Sequence, residues 1–167
     1  LSQAYYRLGM DSAFRAAATT LTSGTGAARY GRLLRSQLLL DAYRHREFER
    51  AMTLASSLDA SERGLGSLVA GLSAYQMGNT AAATQYFATA RAAGAPYGQY
   101  AQYMEALSML RADTTKRGEA LTALEALASS AAGELQDQVR LTAAQLAYEA
   151  EQYDVASRLA MQINPTS

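Results

Sequence analysis

Apolar residues in this chain recur at the spacing of a helix face. With Ala51, Ala83, Ala120 and Ala156 as anchors and Phe14 as a weaker first member, the residues four later are Ala55, Phe87, Leu124, Ala160 and Ala18. Those seven later are Leu58, Ala90, Leu127, Ile163 and Leu21. Positions zero, four and seven fall on one side of an α-helix, so each set draws a single apolar stripe. The anchors stand 37, 32, 37 and 36 residues apart. A period of that length means that a supersecondary unit is repeated along the chain. Eight residues before the anchors come Tyr6, Tyr43, Tyr75, Ala112 and Tyr148, and five before come Gly9, Arg46, Gly78, Thr115 and Glu151, where a tight turn is expected between two helices. Each unit is therefore predicted to be a helical hairpin.

The breakers between stripes set the boundaries. First helices are predicted over 2–8, 27–44, 62–77, 97–111 and 134–150, and second helices over 11–22, 47–58, 81–93, 116–129 and 153–163. The hairpins then occupy 1–22, 27–58, 62–93, 97–129 and 134–163 of one domain, 1–167. Ser23-Gly24-Thr25-Gly26, Gly94-Ala95-Pro96 and Ser129-Ser130-Ala131-Ala132-Gly133 separate them. Pro96 and Pro165 stand just beyond second helices, where a residue lacking an amide proton stops a helix without breaking a bond inside it. Asn79 or Thr80 can cap the helix beginning near Ala81 with a side-chain oxygen.

The segment Gly71 to Ala90 carries Gly71, Tyr75, Gly78, Ala83, Phe87 and Ala90 in the order small, aromatic, turn glycine, small, aromatic, alanine, and it resembles a tetratricopeptide repeat. Leu39 to Leu58 and Ala144 to Ile163 look like weaker copies, with Phe48 and Tyr153 in the aromatic place before the anchor alanine. The unit around Ala120 departs, since Arg117 replaces that aromatic and the turn is one residue longer. The resemblance implies an all-α solenoid of about five antiparallel hairpins wound as a right-handed superhelix, with the first helices lining its concave surface. Small anchors would let paired helices approach closely, Ala83 against Gly71 being the clearest pair. Because the chain opens in mid-hairpin and stops soon after Ile163, it is expected to be a fragment of a longer array. Some members of the family grip acidic chaperone tails with Lys and Asn on first helices, but Ser36, Leu40, Leu68 and Leu72 stand in those places here, so that activity does not carry over.

Composition strengthens the helical reading. There are 36 Ala and 22 Leu but only four β-branched aliphatics, Val69, Val139, Val155 and Ile163, which leaves a sheet nothing to build with. Lys+Arg and Asp+Glu balance at 15 each, without the excess of positive charge that phosphate backbones require, so no nucleic-acid partner is expected. The longest aliphatic run is Leu38-Leu39-Leu40, far short of a membrane span. The sequence begins at Leu1 rather than Met and no basic segment leads into an apolar one, so a targeting segment is expected to lie outside it and the compartment is not encoded. Fourteen Arg against the single Lys116, together with the alanine content, suggest a bacterial, GC-rich origin.

Candidate chemistry is sparse. The chain has no Cys, and its single histidine, His45, falls in the turn Arg44-His45-Arg46-Glu47 without a partner at ligand or catalytic spacing. Glu47 with Glu49, and Glu149 with Glu151, diverge on a helix or straddle a turn and read as surface charge. Gly24-Thr25-Gly26 and Gly64-Leu65-Gly66 lack the strand and the lysine of a phosphate loop. The expectation is a non-enzymatic chain with no cofactor and no metal. What remains are the recurrent tyrosines: Tyr6, Tyr43, Tyr75 and Tyr148, joined by Leu40 and Leu72 three residues before two of them, form a candidate groove for a protein or peptide partner. Packing between repeats is the other role open to them. Charge is also polarised, at +4 over residues 1–50 and −5 over 118–167, which suits oriented docking of a partner or of neighbouring repeats. The reading is a protein-binding scaffold, with a helical accessory domain of a bacterial envelope enzyme or assembly complex as the alternative.

Overall fold

The computed structural model describes residues 11–23 and 27–163. Among these residues all regular structure is helical: α1 (Asp11–Ser23), α2 (Ala27–Arg44), α3 (Phe48–Ser56), α4 (Arg63–Gln76), α5 (Thr80–Ala92), α6 (Gly98–Ala112), α7 (Arg117–Ser130), α8 (Gly133–Glu149) and α9 (Tyr153–Met161). One-turn 3₁₀ helices at Ala60–Glu62 and Thr114–Lys116 lead into α4 and α7. Each helix packs on the one that follows, and α2 also touches α4, as α4 touches α6. The first helices thus form one row and the second helices another, the layout of an all-α helical-repeat solenoid. The predicted first helix at 2–8, with Tyr6 and Gly9, and Pro165 lie outside the described residues.

The turns inside the hairpins repeat at atomic detail. Arg46, Gly78 and Glu151 take positive φ, at 61°, 79° and 59°. At each, the amide of that residue donates to the tyrosine three before it, Arg46 to Tyr43, Gly78 to Tyr75 and Glu151 to Tyr148, at 3.0–3.1 Å. The next amide reaches five residues back, Glu47 to Ala42, Asn79 to Ala74 and Gln152 to Ala147, each at 2.9 Å. These paired bonds are the Schellman closure, which satisfies carbonyls that a helix end leaves orphaned. Only the middle turn uses glycine, for which a left-handed backbone carries no side-chain penalty.

The α6–α7 turn is built differently, as its sequence suggested. Asp113 stays extended and its Oδ1 accepts from the Thr115 amide at 2.9 Å and the Thr115 hydroxyl at 2.6 Å, starting the 3₁₀ turn. The Thr115 hydroxyl, and then its amide, hold that carboxyl below its ordinary value. At the predicted cap of α5 Asn79 is the residue used: its Oδ1 accepts from the Ala82 amide at 3.1 Å.

The stripes form the core. Phe14, Ala51, Ala83 and Ala120 have no exposed surface, nor have Ala18, Phe87, Leu124 and Ala90 further along them. Close approach occurs in the best-matching repeat. A Cβ added to Gly71 would stand 2.6 Å and 2.7 Å from two atoms of the Phe87 ring, so the glycine makes room for Phe87, which shares its core cluster with the anchor Ala83.

A buried carboxylate joins the first two units. Asp41 on α2 is fully buried and accepts from Arg15 Nε of α1 at 2.6 Å, while Arg15 Nη1 donates to Glu47 at 2.6 Å and Arg50 to the same carboxylate at 2.7 Å. His45 leans on this cluster through Nδ1, 2.9 Å from the Asp41 carbonyl oxygen. Glu47 is therefore more than surface charge: Arg50, and then Arg15, keep its carboxyl below the usual range.

Candidate binding face

The row of first helices carries the tyrosines, and their settings follow from register. Tyr43, near the end of α2, is half-buried and its ring tilts against Phe48 with centroids 5.9 Å apart. Tyr75 holds the matching place on α4, but the residue corresponding to Phe48 is Thr80, and Arg111 of α6 takes the ring's part. Its guanidinium carbon lies 4.7 Å from the Tyr75 centroid and its Nη1 donates to the Tyr75 carbonyl at 3.0 Å. A guanidinium over a phenol face is held by the ring's quadrupole. Leu40 and Leu72 are half-buried beside these rings, each against the core cluster of its own hairpin. Ser36 and Leu68, one turn before them, are buried, and Ser36 donates to the Glu62 carboxylate.

Two tyrosines absent from the sequence-derived set complete the face. Tyr100 and Tyr103 sit one turn apart near the start of α6, with centroids 6.3 Å apart. Burial raises the Tyr100 phenol above its ordinary value, and the phenols of Tyr43 and Tyr103 add to the effect. The Tyr103 hydroxyl is 3.0 Å from Thr142 Oγ1, which carries the line on to α8. Selecting tyrosines only at the late position of each first helix overlooked this pair, and the three-residue spacing of Tyr97, Tyr100 and Tyr103 was the signal available.

Of the expected groove residues, Leu40, Tyr43, Leu72 and Tyr75 fall on adjoining first helices, and Tyr6 is outside the described residues. Tyr148 keeps the register of Tyr43 but is 66% exposed and packs edge-on against Tyr153, centroids 5.5 Å apart, at the far end of the array. Among the described residues no helix is long and apolar enough to cross a membrane, and no three His, Asp or Glu side chains gather as a metal site.

No family model, curated protein or solved structure matches this chain. The tetratricopeptide likeness therefore stands on the chain's own residues, namely the small anchors, the tyrosine before each left-handed turn and the repeated closure around it.

Proposed function

We propose that this chain is a non-catalytic scaffold of tetratricopeptide type that binds a protein segment along its row of first helices. The observation that carries the reading is the set of tyrosines on neighbouring first helices, Tyr43 on α2, Tyr75 on α4 and the Tyr100–Tyr103 pair on α6, with Tyr100 37% exposed. Tyrosine in such a setting offers a large contact area with few rotors to freeze and a hydroxyl to orient a peptide backbone. Half-buried Leu40 and Leu72 give this face an apolar character, and Arg111, over the Tyr75 ring, gives it a cation. Among the described residues of this face, nucleophile, base and orienting group do not converge, the arrangement that nucleophilic catalysis uses.

The test is selection of peptides from a random library on the immobilised chain, followed by affinity measurement on Tyr43→Ala/Tyr100→Ala. Selected peptides should lose at least about 2 kcal/mol, the scale of an aromatic hot spot, while circular dichroism stays helical. Undiminished affinity in the folded double variant would place the interaction elsewhere.

A further inference from the structure

A groove of about 730 Å³ runs along the last hairpin between α8 and α9, walled by Ala144, Tyr148, Tyr153, Ala156 and Ala160. Placed in the register of the α2/α3 hairpin, these residues stand where Leu39, Tyr43, Phe48, Ala51 and Ala55 stand. In that earlier hairpin the surface is covered: Leu65 and Val69 of α4 pack into it, and Gly66 lets the backbone come so close that an added Cβ would be 3.1 Å from the Ala55 carbonyl oxygen. The same event recurs along the array. Leu34 and Leu38 of α2 cover α1, Ala101 and Met104 of α6 cover α5, and Val139 and Ala143 of α8 cover α7. Every covering helix offers two apolar residues three or four apart, which is one helical face. On the last hairpin no described element does so, and Tyr148 and Tyr153 are 66% and 58% exposed.

We infer that this groove is a docking site for an amphipathic helix of a partner protein, one with an apolar pair three or four residues apart and basic residues on its flanks. The apolar pair follows from the four interfaces inside the array, which the groove continues. The basic flanks follow from the rim. Glu149 lines the groove and is paired with Arg117 at 3.4 Å, which leaves the negative charge to Glu151, at the turn at its mouth, and to Asp154, one turn before Ser157 on the same flank of α9. Arg158, the cation on this helix, is already engaged by Glu125 at 2.7 Å. A second copy meeting groove to groove would bring these carboxylates together, and like charges at that range oppose association. The chain contains a helix of the required kind in α2, which carries Leu34 and Leu38 with Arg29, Arg32, Arg35 and Arg44 against the single Asp41.

Two synthetic peptides serve as probes of the full chain. One has the sequence of residues 27–44 and is basic, the other that of 133–149 and is acidic, and both carry the apolar pair. Fluorescence anisotropy should show the basic peptide binding at least tenfold more tightly than the acidic one, with an affinity that falls as salt is added. Ala160→Arg, which fills the groove and adds a cation to its acidic rim, and Tyr153→Ala should each weaken the basic peptide at least tenfold. Both substitute exposed positions, and circular dichroism checks that the helices persist. Equal binding of the two peptides, or indifference to both substitutions, would overturn the proposal. So would a concentration-dependent dimer seen by light scattering and lost in Ala160→Arg, because the occupant would then be a second copy.

Discussion

The α2/α3 and α8/α9 hairpins are made from the same parts in the same register, yet one is interior and the other is not. Both end their first helix with Ala-Tyr, turn through a left-handed non-glycine residue, close with the same two hydrogen bonds, and set an aromatic against the tyrosine. In α2/α3 the tyrosine and Ala55 are half-buried, whereas in α8/α9 the tyrosine and the matching Ala160 are exposed, although the anchors Ala51 and Ala156 are buried in both. Burial in this molecule belongs to the neighbour that a hairpin has, and local sequence decides only whether the hairpin forms. That is the behaviour of a one-dimensional array, in which stability divides into hairpin terms and interface terms.

The contrast is broken most severely by emptying an interior site. Phe87→Ala should cost about 3–5 kcal/mol in chemical denaturation, as a fully buried ring does, while Tyr153→Ala at the open end should stay within about 0.5 kcal/mol. A similar loss from both would mean that the end hairpin is as enclosed as the middle ones. Overfilling comes next: Gly71→Ala drives a methyl into the Phe87 ring and should cost about 1–3 kcal/mol, readable as a lowered denaturation midpoint.

The turns sharpen the comparison with effects of opposite sign. Gly78→Ala should destabilise by about 1 kcal/mol, and Glu151→Gly should stabilise by up to about 1 kcal/mol, because a left-handed backbone strains any residue with a Cβ and glycine's greater unfolded-state entropy returns part of the gain. Equal and same-signed shifts in melting temperature would contradict the strained-turn account. The smallest effect is one of pH. Glu47 corresponds in register to Gln152, so only the interior hairpin has a titrating group at this joint. Since Arg50 and Arg15 lower the Glu47 carboxyl, its stabilisation is complete above about pH 5 and is lost as pH falls through the lowered value. Hydrogen exchange of α3 amides should accelerate on acidification while α9 amides change less, and Glu47→Gln should flatten the α3 response.

Much of the fold could be read from the sequence, because its two governing signals are local and repeated. The spacing of Ala51, Ala83, Ala120 and Ala156 gave helix faces, and Arg46, Gly78 and Glu151 marked turns although two of them are poor left-handed residues; register outweighed propensity. What escaped depends on contacts between units. Arg15 and Asp41 are 26 residues apart and neither is unusual in its own helix, so their pairing had no periodic trace. The contact of Gly71 with the Phe87 ring is one such, since it depends on how the two helices cross. Tyr100 and Tyr103 were missed since they occupy the beginning of a first helix, and only the packing of α6 beside α4 adds them to the row that carries Tyr43 and Tyr75.

That last relation turns the array into its own gauge. Solenoids bend by small rotations shared among their joints, and the Tyr100 phenol is raised first by its burial and then by the Tyr43 phenol two hairpins away. Straightening the row would separate the phenols and wet Tyr100, letting its proton leave at a lower pH; tightening the row would do the reverse. The ionisation of one side chain, followed by a carbon label on Tyr100, therefore reports the curvature of the whole middle section, and a partner lying along the first helices would register as a change in pitch before any contact with it was mapped.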